Sequence, residues 1–353
     1  MIKTLNRRDF LKATTLLSAG SLLAPLGLTE LSSLLPGAAP EDRNLGRVLF
    51  NQSPVHDQAN LASPVLRELA FNDVVSRGQQ LVGSLRQTSN ETWFPLSEGG
   101  YIQSVNLQPV QRQLQEPLTE INTYGQLAEV TMPFTTAFVP KRSHLRKNNE
   151  NQIFYYGSTH WVYGLGKDAQ ERYYYLVKED RWLDSYYVDA THMRVLDPAE
   201  LQPISPDVEP EKKLIRIYLQ DQYLSAYEDD KLVFVSPLSS GQLSGAADRR
   251  TPVGSFKINY KRPSRHMVHS DRTGINDNAL YGVPWVSYFT DSGIAFHGTY
   301  WHNDFSQPKS HGCINLPITA AHWIYLWTTP VVPPREKTYI SRYGTRVDVL
   351  RGS

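Results

Sequence analysis

The chain has 353 residues, 40% of them hydrophobic and 20% charged, which is the profile of a globular protein of two or three domains rather than a disordered one. Its formal net charge is +1, and Lys and Arg are scattered without the basic stripe that a phosphate backbone demands, so a nucleic-acid partner is not expected. Cys313 is the one cysteine, which excludes an intramolecular disulfide and leaves a small buried hydrophobe, a stray thiol or a reactive group as its readings.

At the N-terminus, Asn6-Arg7-Arg8-Asp9-Phe10-Leu11-Lys12 precedes a moderately apolar run from Ala13 to Leu28. The paired arginines and the Gly- and Ser-softened run resemble a twin-arginine export signal, with small residues for cleavage at Gly37-Ala38-Ala39. The run is shorter than the roughly 20 apolar residues that cross a bilayer, so a cleaved signal over 1–39 is expected rather than a stable membrane span. The expected location is outside the cytoplasmic membrane.

From 41 to 200, short β-type runs alternate with turn residues. Thr92-Trp93-Phe94-Pro95-Leu96, a Gly99-Gly100 turn and Tyr101-Ile102 find a parallel in Tyr173–Val177, a polar turn and Tyr186-Tyr187-Val188. Gly46-Arg47-Val48 and Ala128-Glu129-Val130 open the two passages alike. This predicts a tandem repeat of small β-barrels, 41–120 and 121–200, which resemble bacterial SH3-like modules. Their many aromatics fit barrel cores, with an exposed shelf for sugar or peptide as the alternative. The proline-dense segment 201–211 reads as a linker.

After it, Lys213–Leu219 alternates like a half-buried strand, and turns at Asp221-Gln222 and Asp229-Asp230 continue an antiparallel meander. A loop-like region is expected from about Arg262 to Gly282, with His266 and His269 as surface histidines. Strand Gly293–Phe296 then delivers His297-Gly298, and Ser310-His311-Gly312-Cys313-Ile314-Asn315 follows. A free thiol is only a few per cent ionised at neutral pH, and a neighbouring imidazole can take its proton. His297, aimed from a strand end, suits that role; His311, two residues from Cys313 on an extended chain, would point to the same side. Asn315 reads as the N-cap of a helix with Pro317 in its first turn, so a helix N-terminus would favour a Cys313 thiolate. The N–H groups of Gly312 and Cys313 are candidate oxyanion donors. Together these predict acyl transfer.

His297-Gly298 with Ser310–Asn315, preceded by Thr251-Pro252-Val253-Gly254 and Phe256, resembles the signature of the L,D-transpeptidase family with the YkuD-type catalytic domain, over 212–350. The resemblance implies a mainly β fold with one or two short helices, Cys313 as nucleophile and His297 as base. It also implies that the Gly298 carbonyl orients the base and that Ser310, His311, Gly312 and Asn315 shape the site. Trp301 and Tyr281 are candidate walls of the substrate cleft, with core filling as the alternative. Peptidoglycan stem peptides are the implied partners, with glycan contact by the SH3-like modules, and no cofactor is implied. The rival readings are an L,D-carboxypeptidase, a non-catalytic wall-binding protein, and a zinc site drawn from His297, His302, His311 and Cys313, whose spacing fits no zinc motif.

Overall fold

The computed structural model describes residues 43–83, 90–140, 150–244, 247–268 and 279–352, so the segment 1–39 expected to be an export signal lies outside the described residues, as does His269. The chain is mainly β. Among the described residues no helix is long and apolar enough to cross a membrane.

The first unit comprises β1 (Leu45–Val48), β2 (Ser53–His56), β3 (Val65–Leu69), β4 (Val74–Ser76), β5 (Leu81–Val82), β6 (Thr92–Pro95), β7 (Tyr101–Gln103) and β8 (Leu107–Val110). The second comprises β9 (Gln126–Val130), β10 (Phe134–Phe138), β11 (Gln152–Tyr155), β12 (Thr159–Lys167), β13 (Tyr173–Lys178), β14 (Ser185–Asp189) and β15 (Met193–Val195). The two share a pairing scheme. In each the first strand pairs with the last (β1 with β8, β9 with β15), and the second pairs with the third and with the penultimate (β2 with β3 and β7, β10 with β11 and β14). In each, too, a 3-10 turn (Ser104–Asn106, Ala190–His192) separates the last two strands. The nine-residue β12 of the second unit stands where the first has the separate β4 and β5. Each unit has its own core, Val48, Val55, Phe94, Ile102 and Leu107 in one and Val130, Phe154, Val162, Tyr175 and Val188 in the other.

The proline-rich connection is no loose spacer. Ile204 donates its N–H to the carbonyl of Leu326, and the Lys213 ammonium reaches the carbonyls of Ile204, Ser205 and Trp327.

The C-terminal part stacks two five-stranded sheets. One runs β18 (Lys231–Pro237), β17 (Tyr223–Glu228), β16 (Lys213–Tyr218), β27 (Arg346–Leu350) and β21 (Gly254–Lys257). The other runs β25 (Ile314–Leu316), β24 (Ala295–Gly298), β23 (Leu280–Tyr288), β22 (Tyr260–Met267) and β26 (Tyr339–Ile340). A small hairpin, β19 (Leu243–Ser244) and β20 (Ala247–Asp248), lies between. Helix α1 (Ile318–Trp327) and the inward residues Ile215, Ile217, Leu224, Phe296, Ile314, Leu316, Ile324 and Val347 form the largest core. Burying each such aliphatic side chain stabilises the fold by about 1.5–3 kcal/mol.

Two features depart from the sequence reading. Most of the span 262–282 expected to be loop-like is strand where it is described, because the buried face of β22 is polar: Lys261, Ser264 and His266 point inward, and no apolar alternation marks the strand. His266 is accordingly buried at 1% exposure rather than on the surface. The helix also starts later than expected. Its N-cap is Pro317, which has no side-chain cap, while Asn315 belongs to β25 because its N–H and C=O both pair with Ser239.

The C-terminal carbonyls of α1 are closed by buried lysines. Lys261 donates to the carbonyls of Tyr325, Thr328 (2.8 Å) and Pro330 (2.9 Å), and burial holds its pKa well below the usual lysine value. Replacing it with Met strands three buried acceptors. Lys261→Met is therefore expected to lower the unfolding free energy by about 2–4 kcal/mol in chemical denaturation, and a loss under about 0.5 kcal/mol contradicts this role.

Candidate active site

The nucleophile loop is built by two clamps. Ser310 donates its hydroxyl to the Cys313 carbonyl and accepts the N–H of Gly312 at 3.0 Å, closing a tight turn through Gly312 at φ +124°. Only a glycine enters that left-handed region without strain. From the other side, Thr251 Oγ1 donates to the Gly312 carbonyl at 2.8 Å and accepts the N–H of Gly241 at 2.9 Å. At Gly241 a Cβ would lie 2.1 Å from the Arg249 carbonyl oxygen and 2.7 Å from Gly312 Cα, so the two strands touch with no space for a side chain.

Strand register then places His297 relative to Cys313. β24 and β25 run parallel with Phe296 opposite Ile314 and His297 opposite Asn315. Phe296 and Ile314 turn into the large core, whereas Ala295 packs with Cys313 on the other face. His297, two residues from Ala295, shares that face and is a diagonal neighbour of Cys313, a separation of roughly 7–8 Å between backbones that two side chains span. The His297 ring, 3% exposed, lies 5.6 Å from the ring of Trp301.

Hydrogen bonding fixes the base's tautomer. His297 Nδ1 lies 3.2 Å from the Gly298 carbonyl, which can only accept, so Nδ1 carries the proton and the lone pair is on Nε2. Burial lowers the His297 pKa to about 4, against a partial lift from the Gly298 hydrogen bond. Burial also raises the Cys313 thiol above its ordinary value, partly offset by the Ala295 N–H that donates to the sulfur. The resting pair is thus a neutral thiol beside a neutral, correctly oriented imidazole.

Residues 212–349 match the family described as YkuD, the L,D-transpeptidase catalytic domain. The match covers the two stacked sheets and α1. "Putative L,D-transpeptidase YciB" of Bacillus subtilis is 28% identical over 146 residues, 38% of this chain and 69% of that protein. The Enterococcus faecium L,D-transpeptidase, solved as a cysteine-to-serine mutant, is 20% identical over 40% of this chain and 50% of its own, with a TM-score of 0.30. This chain therefore spans about half the length of that enzyme. An L,D-transpeptidase from Mycobacterium smegmatis is 14% identical over 78% of this chain and 99% of its own, with a TM-score of 0.31.

Around this site several expected residues sit elsewhere. Cys313 is five residues ahead of α1, with β25 in between, so the helix terminus, whose field fades within one turn, does not act on the sulfur. Gly312 cannot supply an oxyanion donor, because its N–H is engaged by Ser310. The Cys313 N–H carries no hydrogen bond to the described residues and is the donor left. His311 is exposed, and the turn at Gly312 breaks the extended geometry that was to align it with the thiol. Asn315 contacts His302 Nε2 through its side chain at 2.8 Å, and His302 is buried. Tyr281 is no cleft wall. It is 8% exposed, belongs to the core of the second β unit and stacks on His266 at 4.1 Å. Its neighbour Tyr300 is likewise a core filler, donating its hydroxyl to the Tyr281 carbonyl. Trp301 stays half-buried in the cluster of Met267, Leu280, Tyr288 and Cys313. Among the described residues, no three His, Cys, Asp or Glu side chains converge as a metal site would require.

Thr251 had no role assigned from sequence beyond its motif, although a hydroxyl at the head of a Thr-Pro-Val-Gly turn is a signal for a clamp. A cleft of about 830 Å³ lined by Phe256, Tyr260, Tyr288, Asp291, Gly293 and Arg342 was also illegible. It meets the thiol at Gly293, whose carbonyl is 3.9 Å from the sulfur.

Two outcomes follow from this geometry. Thr251→Val should lower kcat/KM about tenfold and also lower the unfolding free energy by about 1–3 kcal/mol, since it frees the Gly312 carbonyl at the point where the thiol is aimed and strands the buried Gly241 N–H. With the thiol pKa raised and the imidazole neutral down to about 4, alkylation of Cys313 by iodoacetamide should climb about tenfold per pH unit across roughly pH 6–8. A rate flat over that range would instead reveal a preformed thiolate–imidazolium pair.

Proposed function

We propose that the chain is an exported peptidoglycan L,D-transpeptidase that uses Cys313 as nucleophile and His297 as general base. The reading rests on one observation above the others: the Gly298 carbonyl holds the His297 Nδ1 proton and leaves Nε2 as acceptor on the face it shares with Cys313. The donor is a stem tetrapeptide whose third residue is a diamino acid. As substrate enters, Nε2 takes the thiol proton and the sulfur attacks the third residue's carbonyl carbon. The Cys313 N–H holds the resulting oxyanion. Collapse breaks the C–N bond, and the imidazolium returns its proton to the departing amine of D-alanine. An amine of a neighbouring stem then attacks the thioester and passes its proton to Nε2. The C–S bond breaks, and the thiol is restored with a new amide between two third-position residues. No cofactor takes part in these steps.

Starting from two neutral groups has a chemical consequence. Proton transfer accompanies attack instead of preceding it, so the cost of charge separation falls within the acylation barrier. Export by the twin-arginine route, proposed from Arg7 and Arg8, would bring the folded enzyme to its polymer. A chain that forms no disulfide suits that route. Glycan contact by the two N-terminal β units is part of the same proposal.

Incubation with purified muropeptides, read by mass spectrometry, tests the assignment. Cross-linked dimer with loss of D-alanine is the expected product; tripeptide alone would make the enzyme a carboxypeptidase, and no product would leave a binding protein. Cys313→Ala should reduce turnover by at least about 10³-fold with the fold retained. Turnover near wild type in that variant would sink the mechanism.

A further inference from the structure

The second β unit holds the C-terminal sheets by a buried polar junction that acyl-transfer chemistry does not itself call for. Asp180, in the turn after β13, receives the Arg265 guanidinium at 2.7 Å, the Arg262 guanidinium and the backbone N–H of His266 at 2.7 Å. Glu179, beside it and 6% exposed, accepts the N–H groups of Arg181, Trp182 and Asp184 and lies 2.6 Å from His266 Nδ1. Those three backbone bonds make the turn rigid, so the carboxylates arrive at β22 already oriented. Trp182 makes a T-shaped contact with the His266 ring at 4.7 Å between centroids, and Tyr281 stacks on that ring at 4.1 Å. Beside this grip, Thr159 of β12 donates to the Pro263 carbonyl and receives Ser264 at its own. Gly282 sits at φ +65°, where a Cβ would fall 2.3 Å from the His160 ring.

The junction lies one residue from the catalytic pocket. Arg265 pairs with Val283 and Met267 with Leu280, so β23 sets two residues, Tyr281 and Gly282, against the single His266, a bulge on β23 directly opposite that histidine. A bulge re-aims side chains next to it. Here His266 turns into the second unit, while Met267, opposite Leu280, packs in the cluster that contains Cys313 and Trp301. We infer that Glu179 and Asp180 are positioning residues for the reaction: they fix the bulge opposite His266 and thereby hold the Met267–Leu280 wall against the Cys313 thiol. This rests on Cys313 being the reacting group, as proposed above. A side chain on a β unit well over a hundred residues away thus sets the shape of the pocket in which the acyl-enzyme forms. Water exclusion at the thioester follows from that wall.

The test uses the full chain and reads two things: the rate at which iodoacetamide alkylates Cys313, and kcat, KM and the ratio of dimer to tripeptide with a muropeptide tetrapeptide substrate. Asp180→Asn and Arg265→Ala approach the junction from opposite sides, so one covers the other if it fails to fold. Both are expected to change the alkylation rate by about tenfold and to shift products from dimer toward tripeptide. Arg265→Lys should keep most of wild-type behaviour. Arg194→Ala removes an ionic tie of the same unit to Glu129 and Glu200, away from β22, and should move neither reading. Folded Asp180→Asn and Arg265→Ala proteins with wild-type thiol reactivity and products overturn the inference, and so does an equal effect of Arg194→Ala. If alkylation responds as expected but the wild type yields no product from muropeptide, the positioning role stands and the proposed reaction fails.

Discussion

The short parallel pairing of β24 with β25 is the constraint on which the site depends. Parallel neighbours place paired residues on the same side, so two registered contacts, Phe296 with Ile314 and His297 with Asn315, decide where two distant side chains meet. A slip of one residue would turn the sulfur into the core and Ile314 out of it. That slip is resisted on every side. Asn315 is tied to Ser239 by both backbone groups, Ser310 is bridged to Gly241, and Ile314 and Leu316 are fully buried. The catalytic geometry is thus a by-product of core packing, and its precision is that of the core.

The same burial that fixes the register sets the electrostatics. A thiol and an imidazole taken out of water both resist charging, the first by a raised pKa and the second by a lowered one. A helix terminus could have offset this, but β25 separates Cys313 from α1. What remains is orientation: a carbonyl that fixes the imidazole tautomer, an N–H from Ala295 at the sulfur, and a free N–H on Cys313 itself. Such a site gains little from a reactive resting thiolate and more from holding groups where charge develops. A neutral thiol is also less exposed to oxidation.

Local signals carried most of what the sequence could tell about this site. His297-Gly298 and Ser310–Asn315 each encode their chemistry within a few residues, and the glycine at 312 announces a turn that no other residue would enter cheaply. The tandem β pattern was legible for a similar reason, since aromatic strand, turn and strand repeat in order. Long-range pairings were not legible. Asn315 looked like a helix cap because its partners, Ser239 and His302, are invisible to a local reading. Strand β22 looked like loop because its buried face is made of Lys261, Ser264 and His266, whose Nζ, Oγ and Nδ1 find partners on distant segments. Tyr281 looked like a cleft wall because it lies at the end of the span 262–282 expected to be loop-like, but its ring is claimed by the second β unit.

The N-terminal units are more than an appended pair of modules, and the two engage opposite walls of the pocket. Arg47 of the first unit is fully buried, bonded to Gln108 and to the Tyr300 carbonyl at 2.6 Å, and burial draws its pKa down to about 10. Asn303 returns the contact by donating to the carbonyls of Ser104 and Leu107. Tyr300 and Asn303 belong to the crossover that links β24 to β25 and carries Trp301, whereas the second unit holds the hairpin that carries Met267. Burying Arg47 and Glu179 at domain junctions is costly unless geometry repays it. Leu127 and Trp161 of the second unit also join the large apolar core, but such contacts alone tolerate sliding. Directional pairs do not slide. Their placement on the two segments that flank the thiol, rather than on the outer sheet of β16–β18, ties the pocket's width to the relative position of three folded units.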